Sequence, residues 1–234
     1  MTDVTTVATD PQECSIRQPP VRTVLDRLHA EAGGQRLGLA GLGISLLRDK
    51  LLRRTSSLSH EVERLRNLYV PVSRKQGELF YLIARSLRAT RIVEFGTSFG
   101  ISTTYLAAAV RDNGGGLVIG SELEPGKVFT ARRNLEEAEL SKFVEIREGD
   151  AQETLRDVAG SVDMVLLDGF KSLYLPILKM LTPHLRRGAV VIGDNIFTFR
   201  QALAPYVACV QNPANGFFSV TLFLGDGTEY SVRL

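Results

Sequence analysis

Apolar residues from about residue 60 onward alternate between short continuous runs and helical spacing. Leu79, Leu82, Ile83 and Leu87 recur at helical spacing, and the apolar run RIVEF follows. The alternation continues through a helix from about Ile101, strand LVIGSE, a helix opened by Pro125, strand FVEIRE, a helix from Ala151, strand VDMVLLD, a helix through about Leu181 and strand AVVIGD. Strands separated by helices in this way predict right-handed crossovers and a parallel sheet.

The pattern changes at the C-terminus. FFSVTLFL and TEYSVRL flank Gly225-Asp226-Gly227, which predicts an antiparallel hairpin at the sheet edge. The predicted fold is therefore α/β: a Rossmann-like, doubly wound, seven-stranded sheet with an antiparallel C-terminal hairpin and N-terminal helices.

The N-terminal part divides into two predicted segments. Residues 1–18 are polar and are predicted to be a flexible N-terminus, and Pro19-Pro20 marks a break before the helix-like stretch VRTVLDRLHAEA. Residues 19–60 are predicted to be a helical segment that forms a lid over the site or a contact in a homodimer. Residues 61–234 are predicted to be the α/β domain.

Composition narrows the class of protein. The 234 residues are 44% hydrophobic and 23% charged, which is typical of a globular domain. A net charge of +2 gives no overall field that would recruit nucleic acid or a membrane surface. The basic residues Arg48, Lys50, Arg53 and Arg54 form either a solvated helix face or a patch for an acidic partner. With two distant cysteines and no visible secretory signal, we expect a cytoplasmic protein without a membrane segment.

The turn after the first strand is a candidate ligand loop. VEFGTSFGIS places Gly96 and Gly100 where this strand passes into a helix, at the edge of the sheet where doubly wound proteins bind ligands. The spacing does not meet the dinucleotide pattern GxGxxG, so tight packing remains an alternative. Glu122, which ends the second strand, predicts a ribose diol acceptor or a carboxylate at a helix N-terminus. Asp150 predicts a ligand contact, a helix cap, or both.

Acidic and amide side chains end the fourth and fifth strands. Asp168 ends LLD, while Asp194 and Asn195 end AVVIGDN. If these strands are neighbours, their ends lie about 4.8 Å apart and the three side chains can converge on Mg²⁺ or Mn²⁺. Lys171 provides the alternative, a buried Asp-Lys-Asp cluster in which the lysine neutralises both carboxylates.

These motifs together resemble a known family, the class I S-adenosylmethionine-dependent O-methyltransferases of the cation-dependent catechol and caffeoyl-coenzyme A type. The resemblance covers about residues 65–234 and rests on VEFGTSFGIS, SELEP, EGDAQE, DMVLLDGFKSLY, VVIGDN and the LGDGT hairpin, in that order. It implies S-adenosylmethionine and Mg²⁺ or Mn²⁺ as cofactors, Lys171 as the catalytic base together with Asp168, and Asp168, Asp194 and Asn195 as metal ligands. It also implies cofactor contacts at Val72, Ser73, Glu94, Gly96, Ser98, Ser102, Glu122, Asp150, Ala151 and Asp168.

The resemblance implies methyl transfer to a hydroxyl oxygen of a small catechol-like or phenolic acceptor. Gly169 stands where relatives often carry a larger residue, which predicts a more open pocket over the metal. The main alternative is an RNA-modifying enzyme that methylates a hydroxylated tRNA base, and the basic residues at 48–54 favour it. A nicotinamide-dependent oxidoreductase and a non-catalytic small-molecule binder are the other two, and the missing GxGxxG argues against the first of them.

Overall fold

A computed structural model describes residues 14–33 and 72–234 of the chain. Its sheet has seven strands: β1 (Arg91–Phe95), β2 (Leu117–Glu122), β3 (Val144–Glu148), β4 (Val162–Leu167), β5 (Leu185–Gly193), β6 (Phe217–Leu222) and β7 (Thr228–Arg233). The strand order is β3-β2-β1-β4-β5-β7-β6. The first five strands run parallel, and β7 is antiparallel to both β5 and β6, so the predicted sheet and its terminal hairpin are confirmed.

Helices cover both faces of the sheet. They are α1 (residues 21–33), α2 (Arg74–Ser86), α3 (Ile101–Asp112), α4 (Pro125–Glu137), α5 (Ala151–Thr154), α6 (Tyr174–Leu181) and α7 (Arg200–Val210). Ten consecutive residues of α3, Ile101 to Val110, are buried, because this helix lies between the sheet and the helices outside it. None of the helices in the described ranges is long and apolar enough to cross a membrane.

Helix α1 is part of the folded core. Its apolar residues, among them Val21, Leu25 and Leu28, are buried in the same cluster as residues of α2, α3 and β1. The segment before it is also held, since the Ser15 backbone N–H donates to Asp112 Oδ2 at 2.8 Å. Residues 34–60 lie outside the described part of the chain, so a lid or dimer role for the segment 19–60 stays a prediction.

The register of β4 and β5 brings their ends together. Leu167 pairs with Gly193, so Asp168 and Asp194 follow a paired position on adjacent parallel strands. The Asp194 N–H donates to the Leu167 carbonyl at 3.1 Å, which extends the ladder one residue further. The neighbouring-strand condition set by the sequence is therefore met.

Helix α7 was not among the helices that the apolar pattern predicted. Pro205 lies inside it, and proline removes an intrahelical hydrogen bond and normally disfavours a helix interior. Leu203, Tyr206 and Val210 are nevertheless buried at helical spacing, so packing against the sheet outweighs the local preference.

Candidate active site

The glycine turn between β1 and α3 lies against the end of β4. Gly96 has a φ of +99°, and a Cβ placed on it would lie 2.7 Å from the carbonyl oxygen of Asp168. No other residue fits at this approach distance and backbone conformation. Ser98 also has a positive φ, +50°, which is unusual for a residue with a side chain. The turn is therefore shaped for close contact between two strand ends.

Glu122 reaches this turn from the end of β2. Its Oε2 accepts a hydrogen bond from the Ser98 N–H at 2.8 Å, and its Oε1 accepts from the N–H groups of Leu123 and Glu124, both at 3.0 Å. The carboxylate thus holds the glycine turn and the entrance to α4 together. This position is compatible with both predicted roles of Glu122, the carboxylate at a helix N-terminus and the acceptor for a ribose diol. The contact with ribose stays a prediction.

Glu94 is a fully buried carboxylate beneath the turn. The hydroxyls of Thr97 and Thr103 donate to its Oε2, while its Oε1 has no hydrogen-bond partner among the described residues. Burial raises the pKa of Glu94, against the lowering effect of the nearby Thr103, Ser102 and Thr97 hydroxyls. A buried oxygen in this state has the capacity to accept one more hydrogen bond.

Lys171 connects the ends of β4 and β5. Its Nζ donates to Asp168 Oδ1 at 3.2 Å and to Asn195 Oδ1 at 2.6 Å. Asn195 in turn donates from Nδ2 to Asp194 Oδ2 at 3.4 Å, and it has a left-handed φ of +63°. Asp168, Lys171, Asp194 and Asn195, which the sequence singled out, therefore lie together. Lys171 also forms an ion pair with Asp168, as the alternative of a neutralising lysine predicts for that carboxylate.

Tyr174 supports this arrangement and was missed by the sequence analysis. Its hydroxyl accepts from Lys171 Nζ at 2.8 Å and donates to the Asp194 carbonyl at 3.2 Å. Burial, with the charges of Asp168 and Asp194, raises the pKa of the phenol, so it stays protonated. Its position three residues after Lys171, on the first turn of α6, is a signal that the sequence did offer.

The two carboxylates are destabilised in their charged form. Burial raises the pKa of Asp168 to about 6, although the nearby Lys171 opposes the shift. Burial and the charge of Asp168 raise the pKa of Asp194 to about 7. Because the two acids interact, these values belong to the pair more than to either residue. A positive charge placed among their oxygens would relieve this cost.

Gln76 is a second residue that the sequence analysis missed. It is 4% exposed, and its Nε2 donates to Asp194 Oδ1 at 2.8 Å. Its Oε1 accepts from the Ser73 N–H at 3.1 Å, which completes a capping box at the start of α2. The Ser-x-x-Gln spacing of residues 73–76 is the sequence signal for that box.

The other residues predicted to contact the cofactor lie at the starts of helices α2 and α5. Val72 is buried immediately before α2, and Ser73 caps that helix. Asp150 caps α5 by accepting from the Gln152 N–H at 2.8 Å, so the structural reading of Asp150 is present. Ala151, the first residue of α5, is buried. None of these observations tests a cofactor contact at Val72, Ser73, Asp150 or Ala151.

Gly169 does not open a pocket in the way that its small size predicts. A Cβ on this residue would lie 2.5 Å from the ring of Phe95. The small residue therefore makes room for an aromatic side chain of β1. The surroundings of Lys171 are aromatic as well, with its Nζ 5.6 Å from the centre of the Phe199 ring.

The donor set at the strand ends is mixed. No group of three or more His, Cys, Asp or Glu side chains suited to a metal occurs in residues 14–33 and 72–234. The predicted ligand set instead joins two carboxylates with the amide oxygen of Asn195. Such oxygen donors match the preferences of Mg²⁺ and Mn²⁺.

The central part of the chain matches a family model: residues 93–196 match the model described as a methyltransferase domain. This span runs from β1 to Ile196 and contains Asp168, Lys171, Tyr174, Asp194 and Asn195. This match agrees with the resemblance to methyltransferases that the sequence motifs predict.

Curated relatives give a narrower comparison. A catechol O-methyltransferase of Mycobacterium tuberculosis is 34% identical over 128 residues, which are 54% of this chain and 57% of that protein. A catechol O-methyltransferase of Niastella koreensis is 32% identical over 152 residues, which are 63% of this chain and 66% of that protein. The chain thus matches a little over half to just under two thirds of the length of these relatives.

Solved structures agree on the fold. A cofactor-bound protein from MTB is 26% identical, with a TM-score of 0.66 over 81% of this chain and 94% of that one. An O-methyltransferase from Bacillus cereus in complex with SAH is 24% identical, with a TM-score of 0.64 over 82% of this chain and 97% of that one. The Rossmann-like methyltransferase fold is the architecture that they share with this chain.

Proposed function

We propose that this protein transfers a methyl group from S-adenosylmethionine to a hydroxyl oxygen of a small aromatic acceptor, at a divalent cation held by Asp168, Asp194 and Asn195. The observation that carries the proposal is the position of Lys171 Nζ, within hydrogen-bond distance of both Asp168 and Asn195. The glycine turn touches the same strand end through Gly96 and Asp168. A cofactor site and a proton acceptor therefore adjoin each other.

The residues of the turn fit S-adenosylmethionine. Glu94 Oε1, which has no partner among the described residues, can accept from the ammonium of the cofactor's methionine part. Gly96, Ser98 and Ser102 line the approach, Glu122 lies at the end of β2 to accept from the ribose diol, and Asp150 and Ala151 lie at the adenine end. The solved structures described as bound to SAH or as cofactor-bound support this assignment.

The residues at the strand ends fit a hard divalent cation. Asp168 and Asp194 supply carboxylate oxygens whose mutual repulsion a cation would relieve, and Asn195 adds a neutral oxygen. When bound, Mg²⁺ or Mn²⁺ would supply Lewis acidity that lowers the pKa of an acceptor hydroxyl. In the structure, Lys171 supplies the positive charge among these oxygens.

The protein's own residues position the reactants and move the proton. The sulfur–methyl bond of the cofactor breaks as the oxygen–methyl bond forms, and the hydroxyl proton passes to Lys171 Nζ, whose neutral form a neighbouring divalent cation would favour. Tyr174 holds Nζ in place through a 2.8 Å hydrogen bond. The products are S-adenosylhomocysteine and a methyl ether, and fixing both reactants in one site contributes much of the rate.

The aromatic class of the acceptor rests on the surroundings of Lys171. The Phe199 ring lies near Lys171 Nζ, and Phe170, which precedes Lys171 in the chain, is exposed. A flat aromatic ring can pack on these side chains while its hydroxyl faces Lys171. The catechol named in the relatives is such an acceptor. The tRNA alternative depends on the basic residues at 48–54, which lie outside the described residues, and it stays a prediction, as does the homodimer.

A methyl-transfer assay tests the proposal. Purified protein is incubated with S-adenosylmethionine and a panel of catechols, other phenols and unmodified and hydroxylated tRNA, with Mg²⁺ or with excess chelator. Mass spectrometry should detect a gain of one methyl on a phenolic acceptor in Mg²⁺ alone. Full activity in chelator would contradict the proposed dependence on a cation. Methylation of tRNA but of no phenol would contradict the proposed aromatic acceptor and favour the tRNA alternative.

A further inference from the structure

We propose that Gln76 is a positioning residue, which fixes the carboxylate of Asp194 as a cation ligand without neutralising it. The inference rests on the proposed cation site and assigns a role to a residue outside the ligand set. Gln76 lies 118 positions before Asp194 in the chain and is buried with it. Their contact is therefore made by the tertiary fold.

The orientation of the Gln76 amide is determined by its partners. The Ser73 N–H donates to Oε1 at 3.1 Å, and the Ser73 hydroxyl donates to the same oxygen at 2.8 Å. Since Oε1 faces two donors, Nε2 must be the atom that faces Asp194. A carboxylate can only accept there, so the donor and acceptor of the amide both match their neighbours.

The hairpin between β6 and β7 closes the amide on another side. Gly225 has a φ of +59°, and a Cβ on it would overlap Cδ, Nε2 and Oε1 of Gln76. The amide thus lies between the start of α2 and the hairpin turn. A side chain held from two sides keeps a single rotamer, and that is what a residue orienting a metal ligand needs.

The neutrality of Gln76 sets it apart from Lys171. Lys171 brings a positive charge to Asp168, whereas Gln76 gives Asp194 a hydrogen bond and no charge. Gln76 therefore fixes one oxygen of Asp194 without placing a competing positive charge beside it. A basic residue at 76 would compete with the cation, and an acidic one would repel Asp194.

Calorimetric titration with Mg²⁺ tests the inference, using the full chain saturated with S-adenosylhomocysteine. In Gln76→Leu, which keeps the size of the side chain and removes the donor, the Mg²⁺ dissociation constant should rise about 10- to 100-fold. The matched control is Gln201→Leu, at an exposed glutamine on α7. The S-adenosylhomocysteine affinity measured without Mg²⁺ should change less than about threefold in both variants, a result that a general loss of structure would not give.

Other outcomes would overturn either the role of Gln76 or the cation site itself. Unchanged Mg²⁺ affinity in a folded Gln76→Leu overturns the role of Gln76. Should this variant fail to fold, Gln76→Asn decides, because its amide is one methylene too short to reach both Ser73 and Asp194; unchanged affinity there also overturns the role. Absence of Mg²⁺ binding in the wild-type chain, or binding that survives Asp194→Ala, instead overturns the proposed cation site.

Discussion

Lys171 and Asn195 are joined by a 2.6 Å hydrogen bond between Nζ and Oδ1, although 24 positions separate them in the chain. The bond links the ends of two adjacent parallel strands, since Asp168 follows β4 and Asp194 follows β5. It places the one side chain assigned a proton-accepting role directly on a proposed ligand. Several measurable consequences depend on this contact.

Replacement of Lys171 by methionine should lower turnover about 10²- to 10⁴-fold, which is the usual contribution of a general base. Binding of S-adenosylhomocysteine should change little, because the glycine turn is left intact. Steady-state kinetics and calorimetry measure the two effects. Lys179→Met, at an exposed lysine on α6, is the control, and a Lys171→Met enzyme with more than a tenth of wild-type turnover would contradict the role of the lysine as base.

The contribution of Asp168 and Asp194 to the stability of the protein should fall as pH rises from about 4 to about 7. Folding raises the pKa of Asp168 to about 6 and that of Asp194 to about 7 from an ordinary 3.8. In this window the two carboxyl groups bind more protons in the folded state than in the unfolded state, so their contribution to the free energy of unfolding decreases with pH. Asp194→Asn removes one of these groups, and its amide oxygen can still accept from Gln76.

Thermal unfolding in chelator at several pH values measures this effect. The melting temperature of Asp194→Asn relative to wild type should increase steadily between pH 4 and pH 7 and then level off. A difference that does not vary with pH would show that Asp194 titrates normally in the folded protein. Asp157→Asn, at an exposed acid, controls for the loss of a negative charge.

Glu94→Gln should stabilise the protein and weaken cofactor binding at the same time. The substitution removes a charge that is costly to bury, since burial raises the pKa of Glu94. It also replaces one carboxylate oxygen with a donor, so the proposed charged hydrogen bond to the cofactor is lost, which should weaken binding about 10- to 100-fold.

Two measurements separate these effects, the melting temperature at pH 8 and calorimetric titration with S-adenosylhomocysteine. Glu229→Gln makes the same change at another fully buried carboxylate, in the terminal hairpin, and should leave the affinity unchanged. Equal affinity in the wild type and Glu94→Gln would remove Glu94 from the cofactor site.

Gly77→Ala should destabilise the protein even though alanine favours helices. A Cβ on Gly77, in α2, would overlap the ring of Tyr105, which is itself fully buried and hydrogen-bonded to His29 at 3.0 Å. Overpacking costs about 1–3 kcal/mol and exceeds the helix gain of at most about 1 kcal/mol. Gly33→Ala, where a Cβ meets nothing, should be neutral or stabilising in the same denaturant titration.

The sequence was most informative about the acidic residues at strand ends, because a carboxylate directly after a buried strand has few possible roles. Asp168 and Asp194 follow apolar runs, which identified them as acids at strand ends. That their two strands are neighbours was a condition of the prediction, and the pairing of β4 with β5 meets it. Gln76 could not be found in this way, because its partner lies across the fold and the spacing to Ser73 indicates only a helix cap. Gly169 was misread because the volume around it is set by Phe95, a residue of a different strand.

Helix α7 shows a different limit. Pro205 reduces the local preference for a helix, and only the burial of Leu203 and Tyr206 against the sheet explains why the segment is helical. Local preference and tertiary packing oppose each other there, and tertiary packing cannot be read from a short window of sequence.

The left-handed backbone of Asn195, with a φ of +63°, affects how any substitution at this position will be interpreted. Most side chains are strained in this conformation, whereas glycine and asparagine adopt it readily. Asn195→Ala would therefore combine two losses, that of a proposed oxygen ligand and that of a residue that tolerates this backbone conformation. Asn195→Gly removes the proposed oxygen ligand with the rest of the side chain but keeps the backbone conformation, and Asn195→Asp keeps a carboxyl oxygen with an added charge, so this pair separates chemistry from conformation where alanine cannot.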